Sequence, residues 1–185
     1  MKLRTLINFA PICLLVLSLS FTMNSCTDPV KGCTDPDAET YNPDADESDD
    51  SQCVYARDKF IGNYKGSLIC PGTLNGFINN AQYDFTITET AGGNVNQVSV
   101  GITVFGAPTI LAATVSGNTL TIDQTIPNVP IPFNGTTLTA TIKATGTGTL
   151  GSDQKTLDGV INTQITATGL PGALTDNCPI KGTKQ

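Results

Sequence analysis

The stretch from Leu138 to Thr145, Leu-Thr-Ala-Thr-Ile-Lys-Ala-Thr, alternates apolar and polar side chains without a break. Successive side chains of a β-strand point to opposite faces, so this pattern predicts a strand with one buried and one solvated face. The same period of two recurs at Tyr83–Ile87, Val98–Val104 and Leu120–Asp123. No stretch of useful length has helical periodicity, and the sequence therefore predicts an all-β fold.

Turn signals separate these segments, among them Gly92-Gly93-Asn94, Ser116-Gly117-Asn118 and Asn134-Gly135. Short connections favour an antiparallel meander, and closing that meander into a barrel removes its exposed edges. We therefore predict an eight-stranded antiparallel barrel, with a two-sheet β-sandwich as the alternative that buries the same faces. The predicted strands are residues 60–69, 82–90, 97–105, 110–115, 118–126, 137–147, 156–167 and 176–182.

The segment that opens the first predicted strand is Asp58-Lys59-Phe60-Ile61-Gly62-Asn63-Tyr64. It resembles the opening of lipocalin-like barrels, in which a Gly-x-aromatic motif starts the first strand and the aromatic ring plugs the barrel floor. The resemblance implies that Tyr64 closes one end of a lipocalin-like barrel.

A small barrel can admit an apolar or amphipathic ligand at its mouth. Its rim would be formed by aromatic residues in the connections, and the proline-stiffened loop Pro127–Pro132 would be a flap. The alternative for these residues is ordinary core and loop packing. Together with Tyr64, the candidate ligand-binding residues are Phe77, Phe105 and Phe133.

The first 25 residues have the features of an export signal. Lys2 and Arg4 precede an apolar run, Ile12–Phe21, that is about half the length needed to span a bilayer. Met23-Asn24-Ser25-Cys26 resembles the lipobox of bacterial lipoprotein precursors, whose cysteine is acylated and becomes the mature N-terminus. The resemblance implies a lipid anchor at Cys26 in the outer membrane of the cell envelope, on its periplasmic or surface face. Plain secretion, with Cys26 as a spare thiol, is the alternative.

Charge is unevenly distributed along the chain, which has 10 basic and 16 acidic residues and a net charge of −6. Residues 56–185 carry seven of each sign, whereas residues 26–55 carry nine acidic residues and one basic residue. No basic patch is available to neutralise phosphates, which argues against nucleic acid as a partner. We therefore divide the chain into a signal peptide (1–25), an acidic linker module (26–56) and a β-domain (57–185).

The acidic module places eight carboxylates between Cys33 and Cys53. With Gly-Cys-Thr-Asp-Pro at residues 32–36 and Asp-Asp-Ser-Gln-Cys at residues 49–53, it resembles a short module of exported proteins from outer-membrane bacteria. Carboxylates recur at alternate positions, as at the start of a calcium loop, but the glycine and glutamate that an EF-hand needs are absent. Either the module binds calcium weakly, or it is a solvated acidic spacer. The candidate calcium ligands are Asp35, Asp37, Asp44, Asp46, Asp49 and Asp50.

Four cysteines follow Cys26, and four cysteines allow three disulfide connectivities. Local closure favours a bridge between Cys33 and Cys53. The first and last strands are neighbours in a closed meander, which favours a bridge between Cys70 and Cys178.

Catalytic constellations are missing from the sequence, which contains no histidine, no Gly-x-Ser-x-Gly elbow and no glycine-rich phosphate loop. We therefore expect a protein that is not an enzyme and that has no cofactor other than calcium. Two functions are considered. One is a ligand-binding barrel, and the other is a structural or adhesive surface protein with a calcium-stiffened stalk, whose Thr-rich faces contact solvent, glycan or a protein partner.

Overall fold

The computed structural model describes residues 28–75 and 82–185, so the predicted signal, Cys26 and Phe77 lie outside the described residues. These described residues contain ten strands: β1 (Lys31–Gly32), β2 (Glu47–Ser48), β3 (Gly62–Leu68), β4 (Gln82–Glu89), β5 (Gln97–Val104), β6 (Ala107–Ser116), β7 (Thr119–Phe133), β8 (Thr136–Leu150), β9 (Thr156–Ala167) and β10 (Leu174–Lys184). Strands β3 to β10 form a closed antiparallel barrel in which β10 also pairs with β3. The predicted eight-stranded barrel is confirmed, and the β-sandwich alternative is wrong. Within the described ranges, no helix is long and apolar enough to cross a bilayer.

Strands β7 and β8 are 15 residues each and extend well beyond their predicted lengths. The predicted flap Pro127–Pro132 is wrong, because these residues belong to β7 and the last four of them, Val129–Pro132, pair with β8. A bulge between Ile126 and Val129 inserts Pro127 and Asn128 into the strand and bends the hairpin. Pro130 and Pro132 continue the pairing to Phe133, so the prolines interrupt the apolar pattern without ending the strand.

The interior is built from two apolar clusters, one near each end of the barrel. Phe60, Tyr64 and Leu150 belong to the first cluster, at the end that we call the closed end. Leu74, Ile131 and Ile165 belong to the second cluster, at the end that we call the mouth. The bent outer half of the β7–β8 hairpin contributes to this second cluster, so side chains fill the barrel at both ends.

Two strand pairs are joined over only part of their length. Strands β6 and β7 pair from Ala113–Ser116 to Thr119–Ile122, and β4 and β5 pair from Thr86–Glu89 to Val98–Gly101. Both sets of pairs lie next to turns at the closed end. The eight residue pairs between β5 and β6 run along the whole of β5. Toward the mouth, these two strands are therefore paired mainly with each other.

The N-terminal module is a compact segment and not an extended tether. Strands β1 and β2 pair in parallel, and 3₁₀ helices follow at Asp50–Gln52 and Ala56–Lys59. The Cys33–Cys53 disulfide closes the module, and Cys70–Cys178 joins the end of β3 to β10. Both predicted disulfide pairs are thus present in the structure.

Candidate functional site

The closed end is plugged by two aromatic side chains. Phe60 is fully buried, and the buried Tyr64 hydroxyl donates a hydrogen bond to the Phe60 carbonyl oxygen (2.7 Å). The Tyr64 ring stacks on Phe85, with the ring centroids 4.9 Å apart. Burial raises the pKa of the Tyr64 phenol to about 12. The structure therefore puts Tyr64 at the barrel floor, where it packs against protein.

Two glycines on neighbouring strands make room for the Phe85 ring. A Cβ atom at Gly66 or at Gly182 would lie 2.6 Å from a carbon atom of this ring. Such a contact is far closer than van der Waals packing allows. The glycines on β3 and β10 therefore permit the large ring to occupy the barrel interior.

Above this plug lies an apolar cavity of about 80 Å³. Its lining has no charged side chain, and its polar side chains are Ser67 and Tyr83. Pockets that hold drug-sized ligands measure about 300–1,000 Å³, whereas an engineered cavity of about 150 Å³ holds benzene. The cavity has room for a small apolar group only. Its apolar walls come from seven strands and include Phe85, Ile102, Leu111, Ile122, Leu157 and Ile161.

The three predicted ligand-binding residues that the structure describes do not line this cavity. Tyr64 is at the floor, Phe105 occupies the β5–β6 turn with a positive φ of 49°, and Phe133 is half-buried at the end of β7. Phe77 lies outside the described residues. The prediction looked for aromatic residues in connections, whereas the cavity is lined by aliphatic and aromatic residues on the inward faces of strands.

The mouth is covered by the segment after β3. Leu74 is fully buried in the second cluster, and the Asp176 carboxylate accepts hydrogen bonds from the backbone N–H groups of Gly72 (2.7 Å) and Leu74 (3.3 Å). The Cys70–Cys178 disulfide fixes the start of this segment. Sequence reasoning missed Asp176. Its spacing of two from Cys178 places both side chains on the inward face of β10, and this spacing was the available signal.

The carboxylates of the acidic module act as acceptors for local hydrogen bonds. The Asp37 N–H and the Tyr55 hydroxyl donate to Asp35, and these bonds lower the pKa of the Asp35 carboxyl. The Ser51 hydroxyl and the Gln52 amide donate to Asp49, and they lower the pKa of that carboxyl. Charged acceptors therefore hold the turns of the module in place.

The predicted calcium ligands do not form a common site. Within residues 28–75 and 82–185, no three histidine, cysteine, aspartate or glutamate side chains are close enough together to hold a metal ion. Four of these six carboxylates accept hydrogen bonds from nearby groups of the module. Asp35 and Asp49 accept bonds from their own turns, Asp50 accepts one from Ser48, and Asp46 accepts one from the Val30 N–H. The Asp37 and Asp44 side chains are exposed on the surface.

The module contacts the closed end of the barrel. The Lys59 ammonium lies 2.6 Å from a Glu39 carboxylate oxygen in the module and 3.2 Å from the Asn118 amide oxygen in the β6–β7 turn. The Lys184 ammonium donates to the Lys59 carbonyl oxygen (3.1 Å). Ala38 of the module is buried, and a groove of about 280 Å³ separates the Pro36–Glu39 segment from the barrel turns.

The described part of the chain thus offers a small apolar cavity, a covered mouth and a module attached at the closed end. No protein-family model, curated protein or solved structure matches this chain.

Proposed function

We propose that this protein is a non-catalytic, lipid-anchored protein of the bacterial cell envelope that presents the outer surface of its barrel to a partner. The export signal and the lipobox-like Met23–Cys26 support the anchor. Two disulfides support an oxidising compartment, since such bridges persist outside the cytosol.

The single observation that carries the proposal is the filled interior. A cavity of about 80 Å³ is too small for a typical ligand, and side chains cover both ends of the barrel. Recognition on the outer surface needs no interior space. The outward faces are rich in threonine, with pairs such as Thr119–Thr149 and Thr121–Thr147 across β7 and β8.

Attachment of the module to the closed end sets an orientation for this surface. Only four residues separate Cys26 from Lys31, where strand β1 of the module begins, so an acylated Cys26 keeps the module close to the membrane. Lys59 joins Glu39 of the module to Asn118 at the closed end. The mouth, with the turns of the β5–β6 and β7–β8 hairpins, then faces away from the membrane.

The anchor is tested by metabolic labelling with a palmitate analogue. The wild-type protein should carry the label and fractionate with membranes, and Cys26→Ala should lose both properties. Cys13→Ala is the matched control, because Cys13 lies within the leader and its substitution should leave labelling intact. An unlabelled wild-type protein would overturn the anchored part of the proposal.

Binding of a small apolar ligand is the second candidate function, and the uncharged lining of the cavity favours it. Native mass spectrometry of the protein purified from cells separates the two candidates. Surface presentation predicts the mass of the processed, acylated polypeptide with nothing further bound. An apolar adduct that is lost in Ile102→Phe, a substitution meant to fill the cavity, would favour the ligand; Thr103→Phe on the outer face is the matched control.

A further inference from the structure

The outer part of the β5–β6 hairpin is not paired with the strands on either side of it. Among the described residues, the pairing of β5 with β4 ends at Gly101, and the pairing of β6 with β7 ends at Ala113. Beyond these two residues, the hairpin is paired only within itself, up to Val104 and Ala107 next to its turn. We call residues 102–112 the hairpin tip. An unpaired seam separates the tip from β4 on one side and from β7 on the other.

The longer β7–β8 hairpin is held differently. Strand β8 pairs with β9 from Leu150 to Ala140, so that hairpin is fixed to a neighbouring strand along most of its length. The hairpin tip has no such pairing with a neighbour in the part of the chain that the structure describes. Outward movement of the tip therefore breaks no pairing with β4 or β7, and side-chain packing is what the movement has to overcome.

Small residues mark the places where the tip leaves the rest of the barrel. Gly101 is the last residue of β5 that pairs with β4, and a glycine within a strand permits a local bend because it has no Cβ atom. On β6, the neighbouring residues are Ala112 and Ala113. A hinge at these residues therefore meets little steric resistance.

The apolar cavity lies directly behind the tip. Ile102 and Leu111 belong to the tip, and both form part of the cavity wall. Phe85 on β4 and Ile122 on β7 also line the cavity, and each stands where the pairing with the hairpin ends. Displacement of the tip therefore removes one wall of the cavity and opens it to the side of the barrel.

The two ends of the barrel are closed by other side chains. Phe60 and Tyr64 are buried at the closed end. Leu74 is buried at the mouth, where the Asp176 carboxylate accepts hydrogen bonds from the covering segment. A route beside the tip disturbs neither the aromatic plug nor these hydrogen bonds.

We propose that the hairpin tip swings outward and admits the hydrocarbon chain of an amphiphile into the barrel through its side. The cavity lining has no charged side chain, so it suits a chain without charge. Because the opening is lateral, the polar head of the amphiphile stays in water outside the barrel. This inference rests on the second candidate function, binding of an apolar ligand, and gives that ligand a chemical class and a route.

Movement of the tip also supplies the space that the closed barrel lacks. A cavity of about 150 Å³ holds benzene, so the closed cavity of about 80 Å³ is too small for a long chain. Opening alone exposes the inward side chains of the tip, among them Ile102 and Leu111, to water. A bound chain covers these side chains again, so it binds the open state better than the closed state and shifts the population toward it.

The distance between two spin labels reports the position of the tip. The labels are attached to processed protein at Thr103→Cys on the tip and Thr147→Cys on β8, both exposed positions. A saturating amount of dansyl-labelled undecanoic acid should add a population with a longer distance. Thr114→Cys replaces Thr103→Cys in the matched control, because Thr114 lies where β6 pairs with β7, and its distance to β8 should stay constant. An unchanged distance from position 103 would overturn the proposal.

A disulfide across the seam tests the route. Residues 84 and 103 stand opposite each other when the β4–β5 pairing is continued past Thr86 and Gly101, and opposed residues of paired strands are within the range that a disulfide spans. An oxidised variant with Asp84→Cys and Thr103→Cys should therefore hold the tip closed. Its dissociation constant for dansyl-labelled undecanoic acid, measured by fluorescence, should rise by about tenfold or more.

The matched control is a disulfide between Thr88→Cys and Ser99→Cys, which joins residues of the same two strands that are already paired. This variant should bind the probe like the wild type. Equal binding by the variant bridged at residues 84 and 103 would overturn the lateral route and leave ligand binding standing. A wild type that binds no probe would overturn the second candidate function and this inference with it.

Discussion

The acidic module and the barrel are held together by different physical means. The barrel buries two apolar clusters, whereas the module buries little more than Cys33 and Ala38 among its side chains. In the module, a disulfide closes the chain, and carboxylates such as Asp35 and Asp49 accept hydrogen bonds from its turns. A segment too polar to form a core can therefore still adopt a defined shape, provided that covalent closure limits its unfolded states.

Removal of the Cys70–Cys178 disulfide should give the largest change. This bridge closes a loop with a sequence separation of 108 residues. Substituting both cysteines by serine should lower the free energy of barrel unfolding by about 4–5 kcal/mol, because the unfolded chain regains its loop entropy. Denaturant unfolding followed by circular dichroism measures this change, and an unchanged midpoint would contradict the role assigned to the bridge.

Removal of the Cys33–Cys53 disulfide should unfold the module and leave the barrel intact. The bridge closes a separation of 20 residues and contributes about 3 kcal/mol to a segment that has little other burial. In the double serine variant, amide NMR signals of residues 31–54 should collapse to random-coil positions, while those of β3–β10 persist. If the module signals kept their dispersion, local hydrogen bonds alone would hold the module folded. The proposed dependence of the module on its disulfide would then be wrong.

Asp176→Ala should destabilise the mouth of the barrel by about 2–3 kcal/mol, because the buried Leu74 N–H and its neighbour at Gly72 lose a charged acceptor. Denaturant unfolding gives the energy, and faster hydrogen exchange at Leu74 locates the change. Asp158→Ala is the matched control on β9. Its carboxylate forms an exposed ion pair with Lys181 (3.7 Å), so the loss should stay below about 1 kcal/mol. Equal losses of stability in both variants would contradict the role assigned to the hydrogen bonds between Asp176 and the segment Gly72–Leu74.

Acid should affect the module before the barrel. The pKa values of Asp35 and Asp49 are lowered from 3.8 in the folded chain, so their stabilising effect is present above pH 3.8 and is lost as the pH falls through the lowered values. The pKa of Asp153, in the β8–β9 turn, is lowered to about 2, and that turn should persist longer. NMR spectra recorded from neutral pH down to about 2 test the order. If the barrel signals were lost at a higher pH than the module signals, the predicted order of acid unfolding would be wrong.

Much of the barrel could be predicted because its signals are local. The alternation in Leu138–Thr145 sets the face of a strand, and Asn134-Gly135 sets a hairpin turn. The extension of β7 could not be predicted, since Pro130 and Pro132 are tolerated only because that side of the strand is a free edge in the tertiary structure.

The candidate site was predicted less well than the fold. The Cys33–Cys53 pair followed from local closure and the Cys70–Cys178 pair from strand order. The cavity residues lie on seven strands and are not distinguished from other core residues in the sequence. The six aspartates were read as metal ligands from their spacing. Spacing does not reveal that nearby N–H and hydroxyl groups donate hydrogen bonds to four of them, Asp35, Asp46, Asp49 and Asp50.

Attachment of the module to the closed end is the central claim. Double electron–electron resonance, which measures the distance between two spin labels, tests it most directly. Spin labels at Asp44→Cys in the module and Thr147→Cys on β8, both exposed positions, should give a single narrow distance distribution. Lys59→Ala removes the contacts to Glu39 and Asn118, worth up to about 1 kcal/mol, and should broaden the distribution modestly. A broad distribution in the protein with Lys59 intact would show that the module moves freely, and would contradict the orientation derived from its attachment.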